Sequence, residues 1–393
     1  MLFSRTTTDY DITTSATPAE IRAVFTSEKL FEYGEKHGTI GFMRSGLKIE
    51  ITTFRREGEY SDGRRPDNVK FITDLDEDLL RRDFTINAIA VNRKGDIFDP
   101  FNGIDDFEAK LIRSVGDPIE RFREDSLRML RGIRFAVRFG FEIEKQTLQS
   151  IRQSAHIIKL HQISTERILS ELKEIFSYPF EGLNLLIESN LLYIVIPEIT
   201  KHMGIQLVAK FVNHPRINYI ITWAILLDEI LSMRDHELQT NNRLKSDIQN
   251  FFKKFPGTSN REIQSIYGLV RFNEEFILIH LLKSRRDQFR SLRSILNEFK
   301  SWPDFKFEDF FKHLLSTNEI LSTTKLQSQD KIDLLELTTT YSVLYFQKIV
   351  VSGVDAQELG FTGSEIQRIL ELWREEYVLN PSITRADLIS LAK

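Results

Sequence analysis

The sequence predicts an α+β head followed by an all-helical neck, body and tail. Three observations carry this reading. Residues 1–115 hold strand-like runs at Gly41–Phe54 and Ile86–Val91, separated by turn-rich segments such as REGEYSDGRRPD. After Pro118, Phe122, Leu127, Leu130, Ile133, Phe135 and Val137 recur at mostly helical spacing. Beyond them β-branched alternation is scarce, and a chain of 393 residues is too long for one core.

Taken in order, the head spans 1–115, with the sheet segments just named. The neck spans 116–180 and contains a helix beginning in ISTERILSELKEIF, capped by Ser164 or Thr165. A body at 181–275 and a tail at 276–393 complete the chain, with helices expected around 180–195, 216–233, 260–271, 304–320, 329–350 and 364–378. Pro179, Pro197 and the GTSN stretch at 257–260 are candidate breaks.

Composition narrows the function classes. Apolar residues make up 41% and charged residues 28%, as in ordinary globular proteins. The absence of cysteine excludes disulfides, thiolate metal sites and cysteine nucleophiles. No apolar run approaches the roughly 18 residues that span a membrane, and MLFSRTTTDYDITT lacks the apolar core of a signal peptide. A cytoplasmic location without a membrane partner is the expectation. The net charge of −4 does not by itself favour nucleic acid, yet its distribution is uneven. Lys and Arg outnumber Asp and Glu between Lys110 and Lys173. A second basic stretch runs through Lys283, Arg285, Arg286, Arg290, Arg293 and Lys300, opposed only by Asp287 and Glu298. Such patches attract phosphates; they also read as solvated helix faces.

Asp9 and Asp11 flank Tyr10, and acids at i and i+2 of an extended segment point to one side. Carboxylates so placed repel and call for a cation, for which hard oxygen ligands suit Mg²⁺. Two such ions would bind a triphosphate and activate a 3′-hydroxyl for in-line attack. Glu50 in GLKIEITTF is the candidate third acid, on a strand of the same sheet and at one edge of it. Asp-x-Asp alone also describes a solvated strand start.

Further segments come in order: HGTI at His37–Ile40, IEITTFRREGEYSDGRRPDNVKF, DEDLLRRDFTINAIA, DPFNGIDDFEAKLIRSVGDP and RFREDSLRMLRGIRFAVRFGFEIE. With DYDITTSATPAEI before them, they resemble the class II tRNA nucleotidyltransferases, which share a DNA polymerase beta-like head. The match is dense from Leu2 to Phe176 and weaker through TSNREIQSIYGLV and VSGVDAQELGFTGSEIQRIL.

The resemblance implies template-independent addition of C and A to the 3′ end of tRNA, with CTP and ATP as substrates. It implies that Asp9 and Asp11 hold metal and that Arg82 and Asp83 lie near the phosphates and ribose of the incoming nucleotide. A carboxylate there can accept from a 2′-hydroxyl, and a guanidinium can clamp phosphate. The same residues also read as a local ion pair, and Asn87 as a structural group bonding nearby backbone. Asp125, Arg128, Arg131 and Arg134 match the family's nucleotide-selecting helix. Asp125 and Arg128, at i and i+3, would share one helix face. A carboxylate accepts from the amino group that cytosine and adenine share, while a guanidinium donates to their ring nitrogen; uracil and guanine mismatch both contacts. Arg131 and Arg134 would face phosphates, and Arg285, Arg286, Arg290 and Arg293 would grip the RNA.

HGTIGFMRSGLKIEITTF lacks the basic insertion typical of bacterial poly(A) polymerases. The loop after TTFR is complete: Arg55, Arg56, Glu57, Glu59, Asp62, Arg64 and Arg65, with Gly58 and Gly63 for freedom. It favours CCA or A-only addition over CC-only addition. Two departures stand against the family pattern. MLFSR aligns with the residues just past a GGxVRD-like triphosphate cradle, so weakened nucleotide binding is expected, or a catalytically impaired RNA-binding protein on the same fold. In WAILLDEIL, Asp228 and Glu229 stand where some relatives carry a His-Asp metal site, and phosphohydrolase activity is not expected.

Overall fold

The structure, a computed structural model, describes residues 9–34, 38–44, 46–57, 69–158, 163–232, 241–281, 284–298, 307–321 and 349–392, with scattered helical positions between 331 and 344. His37, the loop residues 58–68 and residues 1–8, on which the expected cradle defect rests, lie outside the described residues. The chain divides into two units, Met1–Val208 and Ala209–Lys393.

Unit 1 opens with β1 (Asp9–Thr14), α1 (Pro18–Val24), β2 (Leu30–Gly34), β3 (Thr39–Arg44) and β4 (Leu47–Thr53). Thr17 starts α1 with a capping box to Glu20, and Pro18 supplies a first-turn residue without a wasted N–H. The sheet order is β1-β4-β3-β2. Gly41–Phe54, expected as one strand run, is thus a hairpin turning near Gly46, whose φ of +78° suits glycine. Alternation along β4 sends Ile51 and Thr53 into the core with Ile21, Ile40 and Phe42, and leaves Glu50 and Thr52 on the opposite face. β1 runs parallel to β4, setting Asp11 beside Glu50 and Thr13 beside Thr52. Glu50 lies on an inner strand rather than at the sheet edge, because β4 pairs on both sides.

The chain continues through β5 (Arg55–Glu57), β6 (Val69–Phe71), α2 (Leu75–Leu80), β7 (Ala90–Val91), β8 (Ile97–Phe98), α3 (Gly103–Glu108) and β9 (Leu111–Ile112). Ile86–Val91, expected as a strand, is largely a 3₁₀ turn at Thr85–Asn87, with only Ala90 and Val91 extended. Tertiary packing overrides local β propensity here. Phe84 is fully buried, and its backbone neighbours bond to the segment before the neck through Thr85 N–H to Arg113 O and Val115 N–H to Asp83 O.

α4 (Pro118–Glu124), α5 (Leu127–Phe139), β10 (Glu142–Ile143), α6 (Lys145–Ser154), α7 (Thr165–Ile175), α8 (Pro179–Glu188) and α9 (Leu191–Val195) complete most of unit 1. The neck is not wholly helical, since β10 pairs in parallel with β9 of the head. Phe84 packs edge-on against Phe135 at 5.9 Å. Gly132 on α5 admits that ring, because a Cβ there would meet Phe84 Cζ at 3.0 Å. Ser164 is the N-cap of α7, as expected, although its side chain makes no capping bond. The helix expected at 180–195 is broken by Asn190 at φ 61°.

α10 (Lys201–Lys210) reaches the boundary between the units, and beyond it lie α11 (Tyr219–Ser232), α12 (Asn241–Phe252), α13 (Asn260–Leu281), α14 (Arg285–Glu298) and α15 (Phe307–Leu321). α13 runs without a break through 275/276, where body and tail were expected to divide, and the division between the two units falls instead within α10. Short helices at Gly353–Glu358 and Arg385–Ser390 flank a longer one at Ser364–Leu379. α11 carries Trp223, fully enclosed by Phe251, Phe252 and Phe255. Glu229, at the former His-Asp position, accepts a bond from Lys210 at 2.6 Å.

Three arginines of the basic stretch on α14 pair with acids of a helix further along the chain. Arg290 lies 3.0 Å from Glu375, Arg286 2.7 Å from Glu376 and 3.7 Å from Glu375, and Arg293 3.9 Å from Glu375. Glu375 sits on helix Ser364–Leu379 and is only 4% exposed. Arg285 is exposed on the same helix as the other three arginines.

Two substitutions measure this packing. Gly103→Ala would set a Cβ 2.2 Å from the Thr85 carbonyl oxygen, a backbone atom that cannot yield cheaply. A loss of about 1–3 kcal/mol is expected, read as a lower urea midpoint. Glu375→Gln leaves three guanidinium groups facing a buried neutral amide. The expected cost is about 3 kcal/mol, recovered in part at high salt; an unchanged unfolding midpoint would show the cluster to be ornamental.

Candidate nucleotide-binding site

One cleft of about 1470 Å³ in unit 1 gathers most of the residues that the sequence singles out. Asp11, Glu50, Arg82, Asp83, Asn87, Asp125, Arg128 and Arg131 line it, together with Arg55, Arg81 and Arg167. Ligand pockets commonly measure about 300–1,000 Å³, so a nucleotide would leave room for a second molecule.

The β1–β4 register places Asp11 and Glu50 side by side on the cleft face. Lys48 holds Glu50 at 2.7 Å. Asp9 pairs with Lys48 in the ladder, and its side chain lies outside the described residues. Among the described residues no cluster of three or more His, Asp or Glu is poised for a metal ion. The oxygen donors that are described fit a hard cation such as Mg²⁺ and no soft one.

Asp83 is buried and held at both carboxylate oxygens. Its Oδ1 accepts from Phe84 N–H at 2.9 Å and Asn87 Nδ2 at 3.0 Å, and its Oδ2 accepts from Arg131 Nε at 2.7 Å. Burial pushes this carboxyl up, but Arg131 and the Asn87 bond more than reverse it, leaving the pKa below the usual range. Arg131 shifts up, because Asp83 outweighs the burial that would lower it. Asn87 therefore has a structural partner, a side chain rather than the expected backbone. Arg82 donates to the Asn87 carbonyl at 3.1 Å, while its buried Nε makes no hydrogen bond. Burial pushes the Arg82 pKa down, and Asp78, Asp83 and Asp11 oppose that shift.

The expectation for Asp125 and Arg128 needs a correction in geometry. Asp125 is not on the helix with Arg128: its extended backbone ends α4, and α5 begins two residues later. The kink lets Asp125 Oδ1 accept from Leu127 N–H at 3.1 Å and Oδ2 from Arg167 Nη2 at 2.8 Å. Arg128 donates to Glu124 at 2.7 Å and to the Arg81 carbonyl at 2.8 Å, tying α5 to the end of α2. Both residues still face the cleft. Arg134 does not line it. It lies 2.6 Å from Glu171 and stacks its guanidinium 4.2 Å from the Phe135 ring centre, turned into the neck rather than toward phosphate. Burial raises the Glu171 pKa despite the arginines beside it. The arginines of α14 belong to unit 2, and three of them, Arg286, Arg290 and Arg293, to the Glu375 cluster already described.

Two cleft residues escape sequence reasoning. Arg167 reaches Asp125 across 42 positions, and no local spacing signals that pair. Arg81, which the motif argument gave no role of its own, lines the cleft as well.

Comparison with known proteins sets this cleft in a family. Residues 1–113 match the poly A polymerase head domain, and residues 140–203 match a domain described as the probable RNA and SrmB-binding site of polymerase A. The chain is 44% identical over 200 residues to a CCA-adding enzyme of Anoxybacillus flavithermus, covering 50% of this chain and 49% of that protein. It is 42% identical to one of Leuconostoc citreum over 69% of this chain and 64% of that protein. With the Lactobacillus helveticus enzyme it shares 36% identity over 71% of this chain and 70% of that protein. The match spans about half the length of the Anoxybacillus flavithermus relative and of a CCA-adding enzyme of Geobacillus thermodenitrificans. In fold it resembles the Bacillus stearothermophilus CCA-adding enzyme in complex with CTP, with a TM-score of 0.69 and 24% identity over 99% of this chain and 89% of that one. The Thermotoga maritima CCA-adding enzyme complexed with tRNA gives 0.61 at 18% identity, over 99% and 87%. Its sequence match through head, neck and beyond shows that this chain belongs to the family of CCA-adding enzymes.

Proposed function

We propose that the chain adds C and A to the 3′ end of tRNA without a template, using CTP and ATP. One observation supports this above the others. The acids of β1 and β4, the arginines at the end of α2 and the Asp125–Arg128 pair open onto one cleft. Separate groups for reacting end, triphosphate and base within one cavity are what a protein-templated nucleotidyl transfer requires.

Arg81 and Arg82 would receive the triphosphate, the latter with a buried donor still unmatched. Asp83, already holding Arg131 and Asn87, orients the RRD segment and keeps acceptor capacity for a ribose hydroxyl. Asp125 Oδ2 accepts once from Arg167, which leaves a lone pair for the shared amino group of cytosine and adenine. Arg167 thereby fixes the acceptor's direction, and Glu124 and the Arg81 carbonyl do the same for Arg128. Asp9 and Asp11 would hold Mg²⁺, with Glu50 beside them, and bound Mg²⁺ would supply charge compensation for the triphosphate. A tRNA 3′ end is the partner, and its presence in this chemistry favours a cytoplasmic location. No described helix is long and apolar enough to cross a membrane.

The reading is tested with a tRNA lacking its 3′ CCA, CTP, ATP and Mg²⁺. Incorporation by the wild-type chain should fall by at least about a thousandfold in Asp11→Ala, and equally on chelation of the metal, while tRNA binding persists. Normal incorporation by Asp11→Ala would remove the metal role. Selection is tested separately: Arg167→Ala or Asp125→Ala should let UTP compete, cutting CTP-over-UTP discrimination by about a hundredfold. Undiminished discrimination in both would place base selection elsewhere.

A further inference from the structure

Asp78 is a carboxylate that no motif argument used. It lies on α2, is fully buried and does not itself line the cleft. Four residues that do line it converge on this one group. Oδ1 accepts from Arg81 Nε at 3.0 Å, Arg81 Nη2 at 2.7 Å and the Arg55 backbone N–H at 3.1 Å. Oδ2 accepts from Thr13 Oγ1 at 3.3 Å and lies 3.8 Å from Arg82 Nη2. A charge so enclosed persists only when paired and hydrogen-bonded, and here every partner belongs to the cleft wall.

The partners come from different parts of the head. Thr13 is two residues beyond Asp11 on β1 and shares its face. Arg55 opens β5, and Arg81 and Arg82 end α2. One buried anion therefore sets the distance between the strand that bears the acids and the arginines opposite. Its charge also matters. Asp78 offsets one of two adjacent guanidinium groups, so one positive charge is left to face the cleft. Arg81 is gripped through two nitrogens, whereas Arg82 is held more loosely and keeps an unmatched Nε.

We propose that Asp78 is a positioning residue for triphosphate binding, acting through Arg81, Arg82 and Thr13. This rests on the nucleotidyl-transfer reading and deepens it. Without the carboxylate, two like charges would repel and Arg82 would lose its register with β1. Phosphate affinity should suffer, and base choice, which Asp125 and Arg128 carry, should not.

The experiment compares the full chain with Asp78→Asn, which keeps volume and removes charge, and with Thr13→Val, which keeps shape and removes one bond. Binding of CTP, UTP and cytidine is measured by calorimetry with Mg²⁺, and KM and kcat by incorporation into tRNA. Asp78→Asn should weaken CTP about tenfold and raise KM for CTP and ATP alike. Its cytidine affinity and CTP-over-UTP ratio should hold. Thr13→Val should shift CTP about threefold the same way, which keeps the idea open to refutation if Asp78→Asn does not fold. Unchanged CTP affinity in the folded variants overturns the proposal, as does an equal loss for CTP and cytidine. A wild-type chain that binds no CTP sinks the nucleotidyl-transfer reading first and this inference with it.

Discussion

The contact between Asp83 and Arg131 is the point on which unit 1 turns. It joins the buried Asp83 of the head's RRD segment to a half-buried arginine of the neck helix Leu127–Phe139 at 2.7 Å. Asp83 is not tolerable there alone, since removing the partner of a buried charge costs about 3–5 kcal/mol. The pKa shifts agree on this point: each group is driven toward its charged form by the other. Around that pair, carboxylates and guanidinium groups alternate through Glu171 with Arg134 and Asp125 with Arg167. The cleft wall and the neck behind it are therefore cross-linked by ion pairs, held in place before any ligand arrives. Rigid placement of charge is what makes such a wall selective, because little reorganisation remains when the ligand enters.

The same physics answers a different need in unit 2. Three arginines of helix Arg285–Glu298 close on Glu375 and Glu376, and a stretch that looks like a phosphate grip is bound up in helix packing. A phosphate backbone would have to compete with those carboxylates. Basic residues along a sequence measure attraction only after the local acids have been subtracted, and a buried acid from a distant helix cannot be seen in the run itself.

How far the sequence could be read depends on these distances. The extended backbone of the Asp-x-Asp segment and the helical spacing after Pro118 were legible because each is carried by local order or local spacing. The side-by-side placement of Asp11 and Glu50 was half legible: alternation gave the face, but not the parallel register or the inner position of β4. The kink at Asp125 was hidden, since its i, i+3 spacing to Arg128 fits one helix as well as two. Ile86–Val91 misled because a 3₁₀ turn at Thr85–Asn87 takes up its start, and its β-branched residues line the cleft instead of a strand core. Arg167 and Glu375 were out of reach. Their partners stand tens of positions away, 42 for Arg167 and 85 between Arg290 and Glu375, and chain closure alone decides such pairs. Asp78 was half legible: Arg81 and Arg82 follow it at i+3 and i+4, while Thr13 and Arg55 lie 65 and 23 positions off.

Strand Asp9–Thr14 lies at the end of its sheet, paired only with Leu47–Thr53 among the described residues. An exposed strand edge offers a row of N–H and C=O groups to any passing chain, and acidic side chains along it discourage that union. Asp9 and Asp11 would then act on colloidal stability as well as in the chemistry proposed for them. Replacing both with alanine turns the strand into Ala-Tyr-Ala-Ile-Thr-Thr, a short, uncharged segment of high β propensity. Self-association of such a protein would deplete the active fraction without touching the chemistry, so the amount of monomer belongs beside every rate measured on it.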